Sequence, residues 1–209
     1  MEQRSAEWHA ARLGKVTASK VADVMAKTKS GYSTSRENYM IEIALQRITK
    51  KAKDGFTNAA MQRGTDLEPI ARSAYESSEG VMVIECGLID HPEVKSFAAS
   101  PDGLVGTDGL LEIKCPDEKQ HFAFLRSMIP DNKYQIQMLA QMACTGRKWC
   151  DFVSFDDRFP IELQYAKMRF MRDDKRISEM LSEITSFLEE VKEAELEIHA
   201  MINRIKEAA

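Results

Sequence analysis

The run Ser100-Pro101-Asp102-Gly103, followed after a short gap by Glu112-Ile113-Lys114, limits what this chain can fold into more than any other stretch. Side chains alternate across a strand, so Glu112 and Lys114 share one face while Ile113 points to the other, into a core. Asp108-Gly109 is a dipeptide that accepts the positive φ of a type I′ turn, and a hairpin closed there returns Asp102 to the neighbourhood of Glu112. Leu110, Leu111 and Ile113 make the second strand apolar enough to be buried on at least one face, where a charged pair needs a partner or a metal. The plainer alternative is a surface hairpin in which Pro-Asp-Gly is turn chemistry and Glu112 and Lys114 are a solvated pair. Two converging carboxylates suit Mg²⁺, a hard cation that takes few protein carboxylates and keeps several waters. A lysine beside it is placed to orient and help deprotonate one of those waters, which is equipment for metal-assisted phosphodiester hydrolysis.

The 209 residues, 44% of them hydrophobic, suffice for one well-buried domain or a domain with an appendage. No apolar run approaches a membrane span and the first residues lack a signal-peptide core, so a cytoplasmic protein with no membrane partner is expected. Cys86, Cys115, Cys144 and Cys150 form no CxxC pair and have no histidine at ligand spacing, which argues against zinc, an iron–sulfur cluster or a disulfide framework. A net charge of −4 looks wrong for DNA binding, whose affinity is dominated by phosphate neutralisation. Residues 1–63, however, hold twelve Lys and Arg against six Asp and Glu, and residues 64–209 hold seventeen against twenty-seven. The basic part can track a backbone while the acidic remainder keeps DNA off the other surfaces; ordinary charge fluctuation is the other reading.

Along the chain, Trp8 to Ser19 reads as a short helix ended at Gly14 and a turn into a second helix from about Ser19 to Ala26. A basic loop spans Lys27 to Ser33. Thr34-Ser35-Arg36-Glu37 has the form of a capping box for a helix reaching about Thr49, and a polar linker, Lys50 to Asn58, follows. Thr65-Asp66-Leu67-Glu68 is a second such box, for a helix to Ser78. Strands are expected over Val81–Ile89 and Phe97–Ala99 and in the hairpin, then helices over Phe122–Met128 and Asn132–Thr145, then strands over Lys148–Phe155 and Glu162–Met171. From Asp173 onward the chain reads as a long acidic helix with a heptad: Ile177, Ile184, Val191, Ile198 and Ile205, with Met180, Phe187, Ala194 and Met201 between them. It either lies on its own domain or contacts a partner.

This order, helix, strand meander with the acid and Glu-x-Lys, then helix and strand again, is that of a restriction-endonuclease-like core. The expected fold is α/β (α+β): a mixed central sheet flanked by helices, in a single domain over residues 1–209 whose residues 173–209 form the long C-terminal helix. Five landmarks sharpen the likeness: Trp8-x-x-x-Arg12-x-Gly14-x-x-Thr17-Ala18-Ser19, Gly64-x-x-x-Glu68, Ser100-Pro101-Asp102-Gly103, Glu112-x-Lys114-Cys115-Pro116 and Gln135-Ile136-Gln137. In this order, over about residues 8 to 140, the chain resembles the phage lambda exonuclease, or YqaJ viral recombinase, family of PD-(D/E)xK nucleases.

The resemblance implies a processive, Mg²⁺-dependent exonuclease that digests one strand of duplex DNA from its 5′ end, leaving a 3′ single strand for a single-strand annealing protein. It implies two Mg²⁺ ions per active site, with Mn²⁺ able to substitute. Asp102 and Glu112 would bind the metals, the Ile113 carbonyl would add a ligand, Glu68 would contribute to a second ion, and Lys114 would position the attacking water. A capping role would account for Glu68 without any metal. A 5′-phosphate pocket would draw on Arg12, Ser19, Ser100 and Gln137, types that suit an anion, although a surface arginine, a helix cap, a turn residue and an exposed amide would account for each one singly. Met61 would wedge between the separating strands and Lys29 would reach the DNA downstream. A ring-shaped homotrimer around the duplex is likewise implied by the resemblance alone. Two rivals stand beside this reading: an endonuclease of the same core that cuts inside a recognition site, and a non-catalytic adaptor whose heptad helix recruits a recombination partner.

Overall fold

In the computed structural model, which describes residues 1–52 and 58–208, the chain begins with α1 (Ala6–Arg12), β1 (Val16–Thr17), α2 (Val21–Met25), the hairpin β2 (Lys27–Thr28) and β3 (Gly31–Tyr32), α3 (Thr34–Thr49) and α4 (Ala59–Glu79). Strands β4 (Val83–Ile84), β5 (Ile89–Asp90), β6 (Phe97–Ala99), β7 (Gly103–Val105) and β8 (Gly109–Lys114) come next. The chain closes with α5 (Glu118–Ser127), α6 (Asn132–Thr145), β9 (Trp149–Phe155), β10 (Tyr165–Met171) and α7 (Asp174–Glu207). Most of the expected linker, residues 53–57, lies outside the described residues.

Five strands form one mixed sheet in the order β10-β9-β8-β7-β4, and β1-β6-β5 form a smaller one. Only β8 and β9 run parallel in the larger sheet, with Glu112 opposite Phe152 and Lys114 opposite Ser154. A parallel pair demands a long crossover, and α5 and α6 provide it, so α6 is carried across the face of β8 that bears Glu112. Leu110 on that face packs with Met138, Leu139 and Met142 of α6, in a core that also takes in α2, α3 and α7. Leu111 and Ile113 face the other way, against Leu67, Ala71 and Tyr75 of α4. This is the expected mixed sheet flanked by helices, with a long C-terminal helix. No described helix is long and apolar enough to cross a membrane.

Several local expectations are corrected. The turn between β7 and β8 has three residues, Gly106, Thr107 and Asp108, because Val105 pairs with Gly109; the positive φ falls on Gly106 (+53°) and not on Gly109. Gly109 is needed for a different reason, since any Cβ there would collide with the Trp149 indole. Helix α4 starts at Ala59, capped by Asn58, whose Oδ1 accepts the Met61 N–H at 2.9 Å, so Thr65-x-x-Glu68 lies inside the helix and is no capping box. At α3, Ser33 holds the cap position and makes no side-chain cap bond. The stretch Val81–Ile89 divides into β4, paired with β7, and β5, paired with β6. Strand β1 and the β2–β3 hairpin were not expected, because two-residue strands carry no periodicity to read.

The α7 heptad is buried through Ile177, Met180, Ile184, Phe187 and Val191, which lie on α2, α3 and α6. Beyond Ala194 the stripe continues uncovered among the described residues, with Ile198, Met201 and Ile205 exposed by 40%, 50% and 69%. Arg36, 2% exposed, fixes α3 to α7: its Nη2 reaches Glu190 Oε1 at 2.6 Å, and Tyr32 stacks on the guanidinium at 3.9 Å. Two turns earlier on α7, Glu183 accepts Lys27 Nζ at 2.6 Å and the Tyr32 hydroxyl at 2.7 Å, pinning the β2–β3 hairpin, with Arg36 Nη1 3.9 Å away. The Lys27 hydrogen bond is the largest influence holding the Glu183 pKa below its ordinary value. A carboxylate depressed in the folded state stabilises the protein above the unfolded pKa and loses that contribution as pH falls through the folded one. Glu183→Gln is therefore expected to melt below wild type at pH 7, and the gap should narrow as pH drops below about 4.3; a pH series of thermal melts measures it, and a gap constant with pH would contradict the assignment.

Candidate active site

Asp102 sits where β6 gives way to β7. Its backbone N–H donates to Leu111 O at 3.1 Å, and its Oδ2 accepts the Ile113 N–H at 2.7 Å, so the residue is tied to β8 on either side of Glu112, by its backbone at one end and its carboxylate at the other. Glu112 is fully buried. Its Oε1 accepts Gln137 Nε2 at 2.6 Å, its Oε2 accepts Gln141 Nε2 at 2.5 Å, and Lys114 forms an ion pair with Oε1. Gln137 and Gln141 lie one helical turn apart on the crossover helix, on one face. Burial, then the charge of Glu112, hold the Asp102 pKa well above the ordinary aspartate value, against the pull of Lys114 and the Ile113 N–H. Burial by itself would lower the Lys114 pKa, but Glu112 and Asp102 more than reverse this and raise it.

A cleft of about 690 Å³ opens beside these groups at Ile113 and Lys114, lined also by Glu68, Met61, Arg63 and Tyr134 among others. Glu68 reaches it from the middle of α4, where its carboxylate pairs with Arg4 and with Arg72, the latter at 3.1 Å. Met61, in the first turn of α4, is 54% exposed and stands on the same wall. Among the described residues no three His, Cys, Asp or Glu side chains converge tightly enough to make a complete ligand set. The donor chemistry nonetheless fits Mg²⁺: Asp102 and Glu112 are adjacent hard-oxygen donors, and one or two carboxylates are what that ion takes from a protein. Their mutual repulsion, visible in the raised Asp102 pKa, is what a cation would relieve. A second ion held by Glu68 requires that residue to leave its two arginines.

The residues expected around a phosphate are placed in two groups. Arg12 and Ser19 line one cavity together with Thr17, Tyr39 and Lys20. The Arg12 guanidinium lies 4.0 Å above the Trp8 ring and 3.4 Å from Thr17 Oγ1, and burial lowers its pKa. Among the described residues it has no carboxylate partner, and a desolvated, unpaired cation is a seat for an anion. Ser100 is joined to that cavity through Trp8, whose Nε1 donates to Ser100 Oγ at 2.9 Å. Gln137 belongs to Glu112. Lys29 is exposed at the tip of the β2–β3 hairpin, and nothing brings it to the cleft.

Sequence reasoning missed Gln141, Trp8 as the link between Arg12 and Ser100, and Tyr134, whose ring lies 5.3 Å from Lys114 Nζ. Signals existed for two of them. Gln141 follows Gln137 by four residues inside the apolar run Met138-Leu139-Ala140-Gln141-Met142, and Trp8 precedes Arg12 by four on a helix, a spacing that stacks side chains.

By fold and site the protein is of the phage-exonuclease class. The YqaJ-like viral recombinase domain matches residues 7–148, and the chain belongs to that family. It is 50% identical to LHK-Exo, an alkaline exonuclease from Laribacter hongkongensis, over 98% of this chain and 100% of that one, with TM-scores of 0.88 and, for a structure in complex with dAMP, 0.89. A phage-related exonuclease from Haemophilus somnus 129PT shares the fold at 16% identity, covering 88% and 96% of the two chains with a TM-score of 0.69. The uncharacterized protein R354 of Acanthamoeba polyphaga mimivirus is 28% identical over 73% of this chain, which spans 29% of that protein's length.

Because Glu112 has no solvent contact, and because Lys114 pairs with the same oxygen as Gln137 while Oε2 accepts from Gln141, removing the Gln141 amide leaves Oε2 unpartnered. Gln141→Leu, which keeps the side-chain volume roughly constant, is expected to destabilise the fold by about 2 kcal/mol. Urea unfolding measures the change, and an unchanged midpoint would mean that Gln141 is not holding Glu112.

Proposed function

We propose that the protein is an Mg²⁺-dependent 5′→3′ exonuclease on double-stranded DNA that starts from a 5′-phosphorylated end. The observation carrying this reading is the buried Glu112 beside Asp102 and Lys114, with Lys114 at the wall of an open cleft, a grouping that a merely structural hairpin has no reason to keep. The relative LHK-Exo, described as an alkaline exonuclease and seen with dAMP, supports it, since a mononucleotide is the kind of product that end-wise digestion releases.

Asp102 and Glu112 would hold the metal, the Ile113 carbonyl and Glu68 being the further oxygen donors available. When bound, Mg²⁺ supplies positive charge for the phosphate oxygens and makes water a stronger nucleophile at neutral pH. Lys114 orients the attacking water and holds positive charge beside the phosphorus. Gln137 and Gln141 keep the Glu112 carboxylate in one orientation, so little reorganisation is left for the moment of reaction. Attack breaks the bond from phosphorus to the O3′ of the terminal nucleotide, whose oxygen takes up a proton. The released unit is a 5′-mononucleotide and the strand left behind again ends in a 5′-phosphate. Arg12, with Ser19 in its cavity and Ser100 joined through Trp8, receives that phosphate and sets the direction of digestion; repeated use of the anchor accounts for processivity. Met61 stands where it can part the strands, and Lys29 contacts duplex further away. A homotrimeric ring, a single-strand annealing partner and a cytoplasmic setting in a bacterial or phage-infected cell belong to the same reading.

Lys114→Ala is expected to lower turnover by about 100-fold or more while leaving DNA binding in place. End-labelled linear duplex incubated with and without Mg²⁺ measures it, and near wild-type turnover would remove Lys114 from the chemistry. Covalently closed circular DNA should stay intact, whereas a nicked or linearised circle would favour an internal cutter. Arg12→Ala should slow digestion of 5′-phosphorylated ends by about tenfold or more with little effect on 5′-hydroxyl ends. Equal wild-type rates on the two ends would sink the phosphate anchor.

A further inference from the structure

Beside the cleft is a second cavity of about 230 Å³ that shares Lys114, Pro116, Gln120 and Tyr134 with it. Its walls are largely apolar and aromatic. Phe124 and Phe152 meet edge to face at 5.1 Å, and Tyr134 leans on Phe152 at 5.5 Å. Ile129, 64% exposed, stands at the rim next to Pro130, an apolar edge that the core does not use. The volume is below that of drug-sized pockets and suits one planar ring system.

Ser154 adds a polar atom to the lining, and its hydrogen-bonding sense can be assigned. His121 is fully buried, with Nε2 2.8 Å from Leu163 O and Nδ1 2.7 Å from Ser154 Oγ. A carbonyl only accepts, so Nε2 carries the proton; in the neutral ring Nδ1 then accepts, and the Ser154 hydroxyl donates to it. Ser154 Oγ is left with lone pairs alone. An aromatic-walled slot with an acceptor in its lining matches a nucleobase, each of which has a π-face and an N–H on its Watson–Crick edge.

We propose that this slot receives the base of the nucleotide being excised, unstacked from the duplex, while the phosphate to be cut lies at Lys114. The inference rests on the exonuclease reading for the identity of the ligand. It adds that the enzyme grips the outgoing nucleotide by its base as well as its phosphates, and does so for all four bases, because stacking and one acceptor do not discriminate among them. Holding the terminal base away from its neighbour also offsets the cost of fraying the end.

Ala123 lies on an exposed position of α5 and lines the slot, so Ala123→Trp fills it from the surface while every core residue and every residue assigned to the chemistry keeps its own side chain. Calorimetric titration in Mg²⁺ buffer with dAMP, dTMP and deoxyribose 5-phosphate provides the test. The wild type should bind both nucleotides at least about tenfold more tightly than the sugar phosphate, and Ala123→Trp should bind all three alike, at the wild-type sugar-phosphate affinity. Equal wild-type affinity with and without a base would overturn the slot, as would a variant that retains the preference for nucleotides or that loses the sugar phosphate too. These titrations require no turnover. A protein that never digests linear duplex would thus refute the exonuclease reading while the slot is judged separately, and one that digests duplex yet binds the nucleotides no more tightly than the sugar phosphate would refute the slot alone.

Discussion

A fully buried carboxylate, Glu112, is the constraint on which the rest of the structure depends. An ionised group without solvent is tolerated only when its lone pairs are satisfied and its charge is countered. Here Gln137, Gln141 and Lys114 meet those demands at once, and two of the three come from α6. Helix α6 can occupy that position because β8 and β9 are parallel and need a crossover. Sheet topology and site are therefore one arrangement: an antiparallel return from β8 to β9 would leave Glu112 without its amides.

The same carboxylate explains which parts of the site could be read in advance. Asp102, Glu112 and Lys114 are linked by strand alternation and a short hairpin, both local, so their convergence followed from a few residues of sequence. Glu68 arrives from α4 and Gln141 from α6, and their proximity depends on packing that no local pattern encodes. Gln141 still left a trace, because a glutamine in the middle of an apolar helical run is costly unless buried against a polar partner. At α4, Thr65 and Glu68 have the composition of a cap, but the Asn58 cap six residues before Gly64 lets the helix start earlier and turns Glu68 toward Arg4 and Arg72. A pattern that satisfies a local rule lost to another copy of the same rule upstream.

The end of α6 was legible to the residue, at Gly146, whose φ of +71° closes the helix. Glycines with tertiary reasons were not. Gly109 looked like a turn residue and is in fact a strand residue kept small by Trp149. The α7 heptad was read as a single stripe, yet burial divides it: the part through Val191 lies on α2, α3 and α6, whereas Ile198, Met201 and Ile205 continue past that platform. Periodicity reports that a helix has an apolar face; how far the platform beneath it extends is a property of the other elements.

Charge in the cleft has the same dependence on internal partners. Arg4 is held by Glu68, Arg63 and Arg158 share the buried carboxylate of Asp156, and Lys114 is held by Glu112. A phosphate arriving at any of these cations competes with a carboxylate already in place, so their net contribution to DNA affinity is smaller than a count of basic residues suggests. Arg12 differs: it is desolvated, stacked on Trp8 and, among the described residues, free of any carboxylate. An anion that reaches it has no ion pair to break. In the proposed function, a chain of net charge −4 would address one particular phosphate through the cation left without a carboxylate, and not through the number of its cations.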